Sequence, residues 1–182
     1  MQQTPDQPDA QAQAKIDGQT QDFIARWQGV ALTAATELSA SQTFVLELCA
    51  LLSVPTPLPT EALDYMFERP ITFAHGDGST SAGRIDCYRR GHFVWESKKF
   101  RNVKAGSTAF NTAMLTARTQ AENYARALPP EELAAGRPPF VLVADVGHVI
   151  AVYAESPSLL ANKAMSCVGY QLTGMGFVVD EA

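Results

Sequence analysis

Asp86, Glu96 and Lys98 are the residues whose types and spacing could do chemistry: an aspartate, nine residues, a glutamate, one residue, a lysine. They sit in two short apolar runs, Arg84-Ile-Asp-Cys-Tyr88 and His92-Phe-Val-Trp-Glu-Ser-Lys98, where a strand that only packs has no use for an acid. Side chains alternate along a strand, so Arg84, Asp86 and Tyr88 are expected on one face of the first run, and Val94, Glu96 and Lys98 on one face of the second. Arg89-Arg90-Gly91 reads as a three-residue hairpin loop whose last position suits a glycine in the left-handed region. That closure sets Tyr88 opposite His92 and Asp86 opposite Val94, which makes Asp86 and Glu96 diagonal neighbours on one face. Two carboxylates and an ammonium converging from adjacent strands form a hard-oxygen site for Mg²⁺, or for Mn²⁺ in its place, with Lys98 beside it to orient or help deprotonate an attacking water.

The rest of the chain must supply the elements that hold this hairpin. Its 182 residues, 46% of them hydrophobic, fit one α/β domain with a sizeable core. Residues 1–19, rich in Gln, Ala, Asp and Pro, have the composition of a disordered tail. From Thr20 to Val54 the spacing turns helical. Phe23, Ile24 and Trp27 mark a short helix that breaks near Gly29, and Phe44, Val45, Leu48, Leu51 and Leu52 mark a longer one, capped by Ser39 or Ser41. Glu37 or Glu47 could lend the metal site a further carboxylate from this helical region. Tyr65–Phe73 reads as a strand that Pro70 demotes to an edge or a bulged position, and His75–Ser79 as a turn leading to the Asp86 strand. Ser107 or Thr108 caps a helix to about Leu128, with Phe110, Ala113, Met114, Ala117, Ala121, Tyr124 and Leu128 on its apolar face. Phe140–Asp145 and Val149–Ala154 are two further strands joined at Gly147. The expected order is helices, a three-strand meander, a helix and two strands: a mixed sheet of about five strands flanked by helices.

Composition narrows the setting. Cys49, Cys87 and Cys167 stand singly, which argues against a zinc site or a disulfide framework and makes a reducing cytoplasm the expected setting. No stretch is long and apolar enough for a membrane span, and no signal peptide is evident. The net charge of -5 is unpromising for nucleic acid, yet eight of the fourteen Lys and Arg fall between Arg84 and Arg118. They are Arg84, Arg89, Arg90, Lys98, Lys99, Arg101, Lys104 and Arg118, against Asp86 and Glu96 alone, a local balance of +6. A basic stripe beside a carboxylate pair suits the phosphodiester backbone of double-stranded DNA.

The Asp86, Glu96, Lys98 spacing resembles the core of the PD-(D/E)XK nuclease superfamily. Gln120 and Tyr124, one helical turn apart, match the Gln-x-x-x-Tyr arrangement of one of its branches. The resemblance narrows over about Asp22 to Ala154. Phe23-Ile-Ala-Arg-Trp27, Tyr65-Met-Phe-Glu-Arg69, Gly83-Arg-Ile-Asp86, Glu96-Ser-Lys98, Gln120 to Leu128 and Pro139 to Asp145 are similar to the N-terminal nuclease domain of MmeI-like type IIL restriction-modification enzymes. The resemblance implies a restriction-endonuclease-like fold and cleavage by Asp86, Glu96 and Lys98. Ser97 stands where a smaller residue is usual, and its backbone carbonyl stays available to the metal. Gln120 and Tyr124 are expected to support the site.

In that family one long polypeptide continues into a helical spacer, an adenine-specific DNA methyltransferase using S-adenosylmethionine, and a target-recognition domain. Here no Asn-Pro-Pro-Tyr-type motif or glycine-rich cofactor loop occurs, so methyl transfer by this chain is not expected, and S-adenosylmethionine enters only through the missing domains. Leu159 to Phe177 looks instead like a segment beyond the methyltransferase core, as if the gene were internally deleted or split. Residues 156–182 are therefore expected to pack loosely. Two functions follow: a Mg²⁺-dependent DNA endonuclease domain, alone or with methyltransferase and target-recognition subunits, or a non-catalytic DNA-binding or assembly remnant.

Overall fold

A strand with apolar side chains on both faces needs a covering layer on each side, and the chain provides one from helices near its start and one from helices in its middle. The computed structural model describes residues 10–28, 30, 36–58, 64–99, 106–134, 136–154 and 176–179. Among them the elements run α1 (Ala10–Gln28), α2 (Glu37–Leu51), β1 (Tyr65–Ala74), β2 (Thr80–Arg89), β3 (Phe93–Lys98), α3 (Thr108–Arg126), the single turn α4 (Pro130–Leu133), β4 (Phe140–Asp145), β5 (Val149–Ala154) and β6 (Gly176–Val179). The sheet is mixed, in the order β1-β2-β3-β4-β5-β6. β1, β2 and β3 form the antiparallel meander, and β4 lies parallel to β3 because α3 carries the chain back across the sheet between them. β1 is an edge strand, so Pro70 interrupts no ladder between two neighbours.

Several expectations need correction. Helix α1 begins at Ala10, inside the stretch read as a tail, and is the longer of the first two helices at 19 residues against 15. Helix α2 starts after Thr36, with no side-chain cap. Ser39 instead donates back to the Thr36 carbonyl, and Ser41 is buried against the sheet. A sixth strand, β6, pairs parallel to β5 from within the segment expected to pack loosely. The β2–β3 hairpin closes two positions further along than the loop reading gave. Arg89 pairs with Phe93, Tyr88 with Val94 and Cys87 with Trp95, and His92 N–H donates to the Arg89 carbonyl around Gly91 at φ 66°. A shift of two preserves which side chains share a face; the ladder stops at Cys87–Trp95, and the same register carried one step on sets Asp86 level with Glu96 rather than diagonal to it.

Alternation itself fails at one place. Phe67 and Cys87 join the cluster under α1 and α2, while Ile71 and Ile85, an even number of residues away, join the cluster under α3. A regular strand would keep each pair on one face. The rotation occurs at Glu68, whose φ is 53°, opposite the Asp86 position. Arg84, Asp86 and Tyr88 therefore do not form the simple single-face row that their spacing implies.

The two layers are unlike. On one side Phe23, Ile24, Trp27, Phe44, Val45 and Leu48 pack over Cys87, Trp95, Ala144 and Ile150. On the other, Ser107 caps α3 by accepting from Phe110 N–H, and the small residues Ala117 and Ala121, almost fully buried, let that helix lie close on the strands. Beside α3 sits a buried ion pair, Arg69 with Glu132, and Glu132 also accepts from the Tyr88 hydroxyl. It ties α4 to β1 and β2.

Breaking that pair should be costly, because it strands a charge away from water. Glu132→Ala is expected to lower unfolding free energy by roughly 3–5 kcal/mol in a denaturant titration. Gly147→Ala should also destabilise, since the residue has φ 84° and an added Cβ would lie 2.3 Å from the Trp27 carbonyl oxygen. An unchanged midpoint for either variant would contradict this account of the packing.

Candidate functional site

The site begins where the β2–β3 ladder ends. Beyond Cys87–Trp95 the Asp86 carboxylate takes over from the backbone, with Oδ2 accepting the Ser97 N–H at 2.7 Å. The Lys98 carbonyl accepts from Val146 N–H on the β4 side, so the neighbouring Ser97 turns its N–H and carbonyl to the β2 side, toward Asp86. The Ser97 side chain points into the α2 layer, where its hydroxyl accepts from Ser41 Oγ at 2.5 Å and Trp95 Nε1 at 2.7 Å. Alternation then sends Glu96 and Lys98 to the α3 side.

Glu96 is 1% exposed. Its Oε1 lies 2.7 Å from Lys98 Nζ, while Oε2 is buried with no hydrogen-bond partner. Burial pushes its carboxyl up to about 7, and the Asp86 charge adds to the rise; Lys98 opposes it and Glu68 contributes a smaller push in the same direction. For Lys98, burial acts to lower the pKa, but the hydrogen bond and charge of Glu96, with Asp86 and Tyr124, outweigh it and the net shift is upward. The lysine stays cationic at neutral pH.

A bare, buried carboxylate oxygen beside a second carboxylate and a strand carbonyl fits a hard divalent cation. Among the described residues no three His, Cys, Asp or Glu converge closely enough to hold a metal by themselves. A two-carboxylate donor set matches Mg²⁺, which keeps several waters and borrows oxygens from a phosphate substrate.

The helix α3 residues meet the site edge. Gln120 Nε2 donates to the Tyr124 hydroxyl at 3.0 Å. Gly83 makes this approach possible: a Cβ there would lie 2.7 Å from Tyr124 Cε1 and 2.8 Å from Phe73. An open groove lined by Phe73, Leu115, Thr119, Gln120 and Tyr124 runs past this edge without including Asp86 or Glu96.

The basic stripe does not gather. Arg89 lies over the Tyr65 ring on the α1–α2 side, and Arg90 pairs with Asp64 and, more loosely, Glu132. Lys99 is held by the Val146 carbonyl and His148, and Arg118 by Glu122 and the Tyr153 ring. Arg101 and Lys104 fall outside the described residues. Glu47 is not near the carboxylates; it accepts from Trp27 Nε1 and pairs with Arg26, joining α1 to α2. Glu37 opens α2, and its side chain is outside the described set. Sequence reasoning gave Glu68 no role, read Ser41 only as a helix cap and named Gly83 only within its motif. Only Gly83 carried a signal, a glycine inside a strand, which marks close approach.

Glu96 gives a pH dependence with a definite sign. Its folded pKa, near 7, lies above the ordinary carboxyl value of 4.5, so between those values the folded chain holds a proton that the unfolded chain has released. That stabilising contribution is lost as pH rises through 7, by on the order of 3 kcal/mol at most. Glu96→Gln should flatten the fall in unfolding free energy between pH 5 and pH 8; parallel profiles for the two proteins would refute the assignment.

Among the described residues, no helix is long and apolar enough to cross a membrane. No curated protein and no solved structure matches the chain. A family match does, to the N-terminal domain of MmeI over residues 11–171. It extends past Ala154 to residue 171. With most of its length inside that match, the chain belongs to the family of N-terminal domains of MmeI, a restriction-modification enzyme.

Proposed function

We propose that the chain is the nuclease domain of a restriction-modification system and hydrolyses phosphodiesters of double-stranded DNA with Mg²⁺ or Mn²⁺. The observation that carries this reading is Glu96 Oε2, buried and without a partner, beside Asp86 and with Lys98 on its other oxygen. Asp86, Glu96 and the Ser97 carbonyl would hold the cation. Such a cation supplies Lewis-acid chemistry, polarising a phosphate and making a nearby water more acidic. Lys98, kept cationic by the two carboxylates, is suited to hold the attacking water by hydrogen bonding and to offset charge developing on the phosphate, more than to act as a base. Tyr124, hydrogen-bonded to Gln120, would support the site from α3.

Grip on DNA rests on fewer residues than the charge count implied. Arg84, 69% exposed and paired with Glu68, and Arg126, 54% exposed along the groove and paired with Glu122, sit in solvent-open pairs that a phosphate can displace at little cost. Site choice is then the task of methyltransferase and target-recognition segments or subunits, and S-adenosylmethionine belongs to them. A non-catalytic assembly module is the competing reading, and the internal pairing of Arg89, Arg90, Lys99 and Arg118 favours it.

Nicking of supercoiled plasmid, with and without partner subunits, separates the two. Wild type should cut with Mg²⁺ or Mn²⁺, and Asp86→Ala should lose cleavage while staying folded, because removing one of two close carboxylates relieves repulsion. Lys98→Ala should keep cation binding yet lose turnover by about 100-fold or more. A wild-type chain that neither cuts nor binds a divalent cation would leave the assembly reading standing.

A further inference from the structure

A strained residue adjoins the carboxylate pair. Glu68 sits mid-strand at φ 53°, in the left-handed region that a side chain with a Cβ adopts only at a cost. Ser53, the other described non-glycine residue with positive φ, just follows the end of α2, where a left-handed residue commonly terminates a helix. Glu68 has no such explanation. The pairs Phe67–Cys87 and Arg69–Ile85 flank it, so Glu68 stands opposite Asp86, which in turn stands beside Glu96. By strand position, then, Glu68, Asp86 and Glu96 are level with one another across β1, β2 and β3, at the place where both ladders are interrupted.

The visible partner of Glu68 does not account for the strain. Arg84 Nη1 lies 3.2 Å from Glu68 Oε2, with the arginine side chain 69% exposed. An ion pair so open to water contributes little. The buried, partnerless Oε2 of Glu96 independently points to a ligand at the same place.

We infer that Glu68 is the outer carboxylate of the cation site, accepting hydrogen bonds from the hydration waters of an ion held by Asp86 and Glu96, with Arg84 as the counter-ion that competes for it. This rests on the cation-binding reading of Asp86 and Glu96. An outer position agrees with the absence of a three-acid cluster tight enough for direct ligation among the described residues. It also gives the left-handed turn a purpose, since the turn re-aims a side chain that a regular strand would direct elsewhere.

Calorimetric titration of the intact chain with Mn²⁺, beside a thermal melt of each variant, tests this. Glu68→Gln should weaken Mn²⁺ binding about tenfold with little change in Tm, the size of effect typical for the loss of an outer hydrogen-bonding partner. Glu68→Gly should raise Tm by relieving the backbone while weakening Mn²⁺ to a similar extent, and Arg84→Ala should strengthen Mn²⁺ binding by about threefold by freeing the carboxylate. Glu131→Gln, an exposed acid on α4, is the control and should change neither. If wild type binds Mn²⁺ and Glu68→Gln binds it as well as the control does, the role of Glu68 is overturned and the Asp86–Glu96 site stands. If wild type binds no Mn²⁺, the cation site itself is overturned.

Discussion

The carboxylate of Glu96, buried next to that of Asp86, is the constraint on which the rest depends. Two acids on adjacent strands repel, and taking one of them out of water adds to the cost. Lys98 offsets part of it through Oε1, but Oε2 is left without a partner. A chain that needed only a packed sheet would place valine there, as it does at Val94 and Val143. The remaining stability must come from the covering layers, and both are anchored close to this pair.

The α2 layer acts through Ser97. Its hydroxyl is gripped by Ser41 and Trp95, and its amide by Asp86, so the backbone between Glu96 and Lys98 is held from two sides. The α3 layer acts through Tyr124, which comes down on Gly83 and Phe73 because β2 has no side chain at that point. A third tie, Tyr88 to Glu132 and Arg69, locks the same strand two residues beyond Asp86. Buried polar groups of this kind are costly unless all are paired, and here they fix the position of one strand relative to its covering helices. The irregular backbone is confined to the edge strand at Glu68, where β1 has a partner on one side only and a twist disrupts the fewest hydrogen bonds.

Chemistry and recognition separate in this domain. The acids and the lysine converge, whereas most of the described basic residues near them in sequence are bound to local acids, carbonyls or aromatic rings. A cation already paired has less to offer a phosphate, since its partner must first be released. Phosphate contacts position a duplex without reading it, so even a free basic stripe would leave the choice of DNA site to other segments.

What the sequence by itself determined about this protein follows from local rules. The Asp86, Glu96, Lys98 spacing, the period-two runs, the Ser107 cap and the glycine turns each depend on neighbours a few residues away, and from them the meander, α3 and the two following strands were legible. The family resemblance was legible for the same reason, because motif residues are local in sequence. The register of the β2–β3 hairpin was right in parity and off by two, since both closures bury the same side chains and only the choice of turn separates them. Tertiary structure alone decided the rest. It sent Glu47 to Trp27 and Ser41 to Ser97, gave Arg89, Arg90 and Lys99 partners distant in sequence, and twisted β1 at Glu68. Pro70, two residues on, signals an edge or a bulge in this strand, but which residue leaves the ladder is decided by the pairing of β1 with β2, a contact distant in sequence.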